Sequence, residues 1–338
     1  MSITTIRPLS FFLSLAALLV VALLLPHFAN RGIIFLAGIV AINIVFGIAF
    51  NFAFAKAGVL SFGHAMFFAV GAYATGYMTI NQDWMPFLLI LLVAVAAGAL
   101  LAIVTALLAL RRAGGVSFAV ITLALGALIH VIITKTTVLG RNDGLAGIAR
   151  PPLDLGVVSI PLGVGDNYYY FLIVTCALAV LLMWVLWSNR FGRSLQAVKS
   201  DPARADFLGI DVNAKRLQAF TISGTMAALS GALFAPWAQI VSPEVALWTQ
   251  STMPVLFALL GGSAFFLGPA VGAILFGFLD YGTRTMVGVS DLLVGGLLLA
   301  VVLAVPGGIL GMLSTFWNRF GGRRNNGATP VATSEVDQ

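Results

Sequence analysis

Several runs in this chain are too apolar and too long to belong to a water-soluble core. Gly32–Ala55 and Met85–Leu110 each exceed 20 residues without one charged side chain. About 20 such residues carry an α-helix across the hydrocarbon of a bilayer. Ten candidate spans follow by the same reading: Leu9–Leu25, Gly32–Ala55, Leu60–Ile80, Met85–Leu110, Val116–Ile133, Tyr168–Trp187, Leu217–Ala235, Thr252–Gly262, Pro269–Thr283 and Asp291–Val305. The eighth is short for a crossing and is expected to be tilted or broken. Charged residues make up only 9% of the 338, against about 25% in soluble domains, so a soluble fold of this size would lack a polar coat. The chain is therefore expected to be an all-α polytopic membrane protein with about ten transmembrane helices, some broken or short. A soluble enzyme, a disordered chain and a secreted disulfide scaffold are excluded, and the single cysteine, Cys176, can form no bridge within the chain.

Charge gives the orientation. With Arg7 inside, 13 of the 18 basic residues fall on that side: Arg7, Lys56, Arg111, Arg112, Arg190, Arg193, Lys199, Arg204, Lys215, Arg216, Arg319, Arg323 and Arg324. Arg31, Lys135, Arg141, Arg150 and Arg284 fall outside. An excess of Lys and Arg marks cytoplasmic loops, so both termini are expected in the cytoplasm. The net charge of +6 is explained by this bias and not by nucleic acid, because no groove of interleaved basic and aromatic residues accompanies it. Arg7 and the apolar run after it resemble a signal peptide. The bulky Leu25-Pro26-His27-Phe28 offers no small-residue cleavage site, so an uncleaved first helix is expected. Residues 325–338 form a polar tail without periodicity, expected to be disordered.

Two connections are long. Residues 134–167, outside by charge, carry Asn142, Asp143, Gly144 and Gly147 followed by Pro151, Pro152 and Pro161. Glycine permits tight turns and proline stiffens extended chain, so this loop is either a plain connector or a cap and docking face. Residues 188–215 contain Arg190, Arg193, Lys199, Arg204, Lys215, Asp201, Asp206 and Asp211. Each charge at a span centre costs about 2.5–3.5 kcal/mol, which keeps the segment out of lipid. Asp201 is a good N-cap, Pro202 suits the first helical position, and Gly209 suits a left-handed end. A short helix is predicted over 202–208, after another over about 193–199. Leu195, Val198, Phe207 and Leu208 are apolar positions on these water-exposed helices, and they mark either a protein contact or a face folded back on the membrane interface.

Polar and small residues inside the spans form stripes. Asn43, Gly47 and Asn51 lie four apart; Ser61, His64, Phe68, Gly71 and Thr75 share one face of the third span; Thr122, Gly126, His130 and Thr134 share one face of the fifth. Such stripes serve either as helix seams or as a pathway or gate. Ser223, Ala227 and Gly231, and likewise Gly268 and Gly272, read as seams. Lys56 can snorkel to the inner surface. No phosphate loop, serine elbow or His-Glu-x-x-His motif is present, so neither an ATPase nor a metal site is expected in this chain.

The pattern Gly192-Arg193-Ser194-Leu195-Gln196-Ala197-Val198, then Asp201, Ala205 and Leu208-Gly209-Ile210, resembles the coupling motif of ABC-importer permeases of the branched-chain amino-acid family (the LivH/LivM type, closer to LivM). Gly58-Val59-Leu60-Ser61-Phe62-Gly63-His64 with Gly71-Ala72-Tyr73 is similar to a family signature. So are Phe118–Ala124, Asn142–Ile148, and Gly261-Gly262 with Gly268–Ala273, all in order over about residues 45–280. The resemblance implies a permease architecture over residues 1–324, in the bacterial inner (plasma) membrane. It implies a second related permease, two cytoplasmic subunits that bind ATP and magnesium, and a periplasmic solute-binding protein as partners, with no cofactor in this chain. Gly192, Arg193, Leu195, Ala197, Val198, Asp201, Ala205, Phe207, Leu208 and Gly209 would meet the ATPase. Asn43, Asn51, Ser61, His64, Gly71, Thr122, Gly126 and His130 are the candidates for the path or gate. Ala127-Leu128 stand where the family often has a polar or acidic residue, which leaves the cargo open between branched-chain amino acids and urea, short amides or aromatic acids. An ion-coupled secondary transporter is the alternative of another class.

Overall fold

The computed structural model describes residues 8–82, 84–110, 115–154, 159–283, 295, 296, 299 and 307–313. The predicted tenth span Asp291–Val305, the basic residues Arg7, Arg111, Arg112, Arg284, Arg319, Arg323 and Arg324, and the polar tail lie outside these or largely so. Long helices dominate: α1 (Pro8–Leu24), α2 (Arg31–Asn51), α3 (His64–Asn81), α4 (Phe87–Ala109), α5 (Val116–Lys135), α6 (Asn167–Ser188), α7 (Arg190–Ser200), α8 (Pro202–Phe207), α9 (Val212–Ala238), α10 (Trp248–Gly261) and α11 (Gly268–Thr283). Nine of these match the first nine predicted spans, while α7 and α8 fall in the charged connection. Among the described residues, five helical stretches are long and apolar enough to cross a membrane: Arg31–Lys56, Phe87–Ala109, Val116–Lys135, Asn167–Ser188 and Val212–Ala238. The two-residue strands Leu145–Ala146, Leu153–Asp154, Ser159–Ile160 and Ile240–Val241 make two small antiparallel ribbons, the first with the last and the middle two together.

The longest helix, α9, is central; 27 residues rise about 40 Å. It packs along α3 and α4 and touches α2, α6, α7 and α8. Small residues set the spacing. A Cβ on Gly71 would lie 2.0 Å from the Ala228 carbonyl oxygen, so the α3 and α9 backbones are nearly in contact, as small residues allow between apolar helices.

Both α10, of 14 residues, and α11, of 16, are shorter than the roughly 30 Å hydrocarbon. They meet at a turn over residues 262–267. Gly307 and Gly308 lie against Gly262, so the chain returns to this turn after α11.

The ends of the bundle differ. At one, the loop face, Leu145 pairs with Val241. Arg150 donates from Nε and Nη2 to the carbonyls of Pro236 and Trp237 at 3.0 and 3.1 Å. Its guanidinium also lies about 5.2–5.3 Å from the ring centroids of Trp237 and Tyr168. A guanidinium fork suits the last carbonyls of a helix, so Arg150 caps α9 and ties the loop of residues 136–166 to it. At the other end, the handle face, α7 and α8 cross beneath α2, α6 and α9.

Candidate functional site

The handle face is built by local signals in the sequence. Asn189 caps α7, its Oδ1 accepting from Gly192 N at 3.0 Å. Asp201 caps α8, its Oδ1 accepting from Arg204 N at 3.0 Å. Pro202 opens α8 as predicted, and Gly209 at φ +80° reverses the chain where an L side chain would be strained. One expectation changes. Leu195 and Val198 do not face water: with Gly192 and Ala205 they are buried, because α7 lies flat on the end of the bundle. A Cβ on Gly192 would be 2.2 Å from the Trp187 carbonyl oxygen, so only glycine lets α7 leave α6 so closely. Arg193 is exposed, Ala197 and Asp201 are half-buried, and Phe207 and Leu208 stand out of the surface at 92% and 70% exposure. A phenyl ring and an isobutyl group held in the open beside Arg204 and Asp206 are the features of a protein contact.

Above the handle, α2 does not end as an ordinary helix. Phe52–Lys56 form a π-helical turn, a geometry enriched at functional sites. Gly58 then turns at φ +70°. Residues 58–63 run as non-helical backbone, exposed at Gly58 and buried at Val59, Ser61 and Gly63; such backbone is tolerated at membrane depth only inside protein. Lys56 is 7% exposed. It cannot snorkel to water as expected, because α7 covers it; its Nζ donates to Gln196 Oε1 at 3.2 Å and sits 4.4 Å from the Trp187 ring centroid. Lys199 Nζ donates to the Ala55 carbonyl at 3.0 Å. Desolvation there holds the Lys199 ammonium below the ordinary lysine pKa. Phe191 stacks on Phe52, and Trp187 meets Phe266 edge to face.

The same turn is pinned from within. Asn51 Nδ2 donates to the Ser263 and Phe265 carbonyls of the α10–α11 turn, at 3.2 and 3.4 Å. Ser223 of α9 donates to the Ala49 carbonyl at 2.6 Å. Its single proton is thereby used, so His64 Nε2, 2.7 Å from the same hydroxyl oxygen, is the donor of that pair. Phe50, Phe67 and Phe220 box the His64 ring edge to face. Ser251 of α10 accepts from Ala65 N at 2.9 Å, and Ser61 Oγ accepts from Gly63 N.

The predicted stripes are therefore distributed. His64, Gly71 and Asn51 are buried in helix contacts, Asn43 is half-buried, and buried Thr122 donates to the Ala119 carbonyl within α5. Gly126 faces the Gly63 backbone. His130 lies apart, near the loop face, where Nδ1 donates to the Pro243 carbonyl at 3.0 Å. Asn142 and Asp143 are exposed, Gly144 packs on the Val241 carbonyl, and Gly147 faces open space. Three participants lay beyond sequence reasoning: Ser223, read as a seam; Arg150, read only as an external charge; and the Lys56–Gln196 pair, 140 residues apart.

A bundle of long apolar helices with a folded polar handle across one end is the architecture of a membrane protein, and comparison with known proteins gives its kind. Residues 32–305 match the family described as branched-chain amino acid transport system / permease component, and the chain belongs to that family. It is 29% identical over 328 residues to the high-affinity branched-chain amino acid transport system permease protein LivM of Salmonella typhimurium, covering 89% of this chain and 75% of that one. It is 28% identical over 326 residues to LivM of Escherichia coli, with the same coverage. The fructose import permease protein FrcC of Rhizobium meliloti is 31% identical over 134 residues, 36% of each chain. No solved structure matches. Relatives of this kind are named as transport permeases, and the chain is a transporter subunit, not an enzyme.

Proposed function

We propose that this chain is the membrane-spanning subunit of an ATP-driven importer of branched-chain or closely related amino acids. In this reading a second permease completes the pore, two cytoplasmic subunits supply ATP and magnesium chemistry, and a periplasmic binding protein delivers the solute to the loop face. The observation that carries it is the handle: two capped helices seated on the bundle by Leu195, Val198 and Ala205, presenting Phe207 and Leu208 outward. Burying those two side chains in a partner's groove would contribute about 1.5–3 kcal/mol each, and it would join a nucleotide-driven movement to the helices above. The likeness to two LivM permeases, over 89% of this chain, supports the cargo.

The test is uptake of radiolabelled leucine, isoleucine and valine by proteoliposomes holding the subunits that co-purify with this chain, with the binding protein added. Uptake is expected to require ATP inside and to fall at least tenfold in Phe207→Asp. Uptake driven by a sodium or proton gradient without ATP would overturn the proposal.

A further inference from the structure

We propose that Lys56 is a positioning residue for transport, fastening the handle to the π-helical turn so that the two move as one body. The inference rests on the permease reading above. It begins from an energetic oddity. Lys56 is buried, yet its named partners are a neutral amide oxygen and an indole face. Burying a cation without a carboxylate is costly; a methionine of similar length would fill the same place at less cost. The charge therefore does something that packing alone does not require.

Its position says what. The named contacts between α7 and the end of α2 fall on the π-helical turn or within two residues beyond it. Lys56 holds Gln196, Lys199 holds the Ala55 carbonyl, Phe191 stacks on Phe52, and the Lys199 stem lies against Gly58. Immediately before the turn, Asn51 grips the α10–α11 turn and the Ala49 carbonyl accepts from Ser223, itself bonded to His64. A π-turn carries an extra residue relative to the α-helix and marks a place where helices change register. Beside its direct contact with α9, α7 is thus connected to α3 and the α10–α11 turn through five residues, Phe52–Lys56. Lys56 is the only one of the five with a charged side chain. Its cation joins three elements at once: α2, α6 through Trp187, and α7 through Gln196.

The experiment uses the assembled transporter in proteoliposomes and reads solute moved per ATP hydrolysed, with leucine, isoleucine and valine as probes. In a Cys176→Ser background, the pair Lys56→Cys and Gln196→Cys breaks the fastening. Solute moved per ATP is expected to fall about tenfold while hydrolysis continues, and to return to within twofold of the parent when a short bismaleimide joins the two thiols. Gln196→Glu, which sets a carboxylate against Lys56 and leaves the buried cation intact, is expected to keep full coupling. A cysteine pair that couples normally without the linker, or one that stays uncoupled with it, overturns the proposal; so does a Gln196→Glu transporter that assembles but runs uncoupled. A parent complex that imports nothing with ATP would instead defeat the permease reading itself.

Discussion

At the scale of single residues, the permease depends on polar groups that satisfy one another inside an apolar bundle. Ser223 is the sharpest case, because one hydroxyl serves both the Ala49 carbonyl and His64. Ser223→Ala leaves a buried carbonyl and a buried imidazole N–H without that partner, a loss of about 1–3 kcal/mol. Denaturant unfolding in detergent micelles should register it. Ser230, also on α9, bonds only within its own helix to the Met226 carbonyl; Ser230→Ala should be nearly neutral by the same measurement. This difference could not be read from the sequence. Ser223 stands at helical spacing with Ala227 and Gly231, a normal seam pattern, and nothing near it indicates that a histidine 159 positions away closes on its hydroxyl.

At the scale of elements, what is legible is what local chemistry decides. The start and end of α8 follow from Asp201, Pro202 and Gly209, because a cap, a ring-locked φ and a left-handed residue act within a few positions. Asp201→Ala is expected to cost about 1 kcal/mol of local stability, seen as faster amide exchange at Arg204. The first turn of α7 is harder to see, since its cap Asn189 follows directly on the end of α6. Whether Leu195 and Val198 face water or the bundle depends on where α7 lies, which only the tertiary fold sets. The π-turn is equally hidden: Phe52-Ala53-Phe54-Ala55 reads as ordinary helix, and the contacts that surround it come from distant parts of the chain. At the opposite end, Arg150 holds the long loop after α5 by two hydrogen bonds to α9. Arg150→Ala should release that loop and speed its cleavage by trypsin or chymotrypsin several-fold. Arg150→Lys should fall between, since an ammonium keeps the charge but not the two-pronged geometry.

At the scale of the whole molecule, α9 and the π-turn join the two faces. The loop face is tied to α9 by Arg150 and, just past the end of that helix, by the pairing of Leu145 with Val241, while the handle touches α9 directly and also meets the turn that Ser223 helps to pin. The long apolar spans and their order are plain in the sequence because a bilayer demands about 20 apolar residues per crossing, a length that α10 and α11 do not reach. The joining of the faces is a property of contacts between spans and has no periodic signature.

Phe207 and Leu208 are expected to seat a nucleotide-hydrolysing partner. A photo-reactive phenylalanine analogue at position 207, irradiated in native membranes, tests it directly. Covalent capture of an ATP-hydrolysing subunit is predicted, with none from the same analogue at Leu92, an exposed apolar position on α4. An active transporter in which position 207 captures only lipid would contradict it.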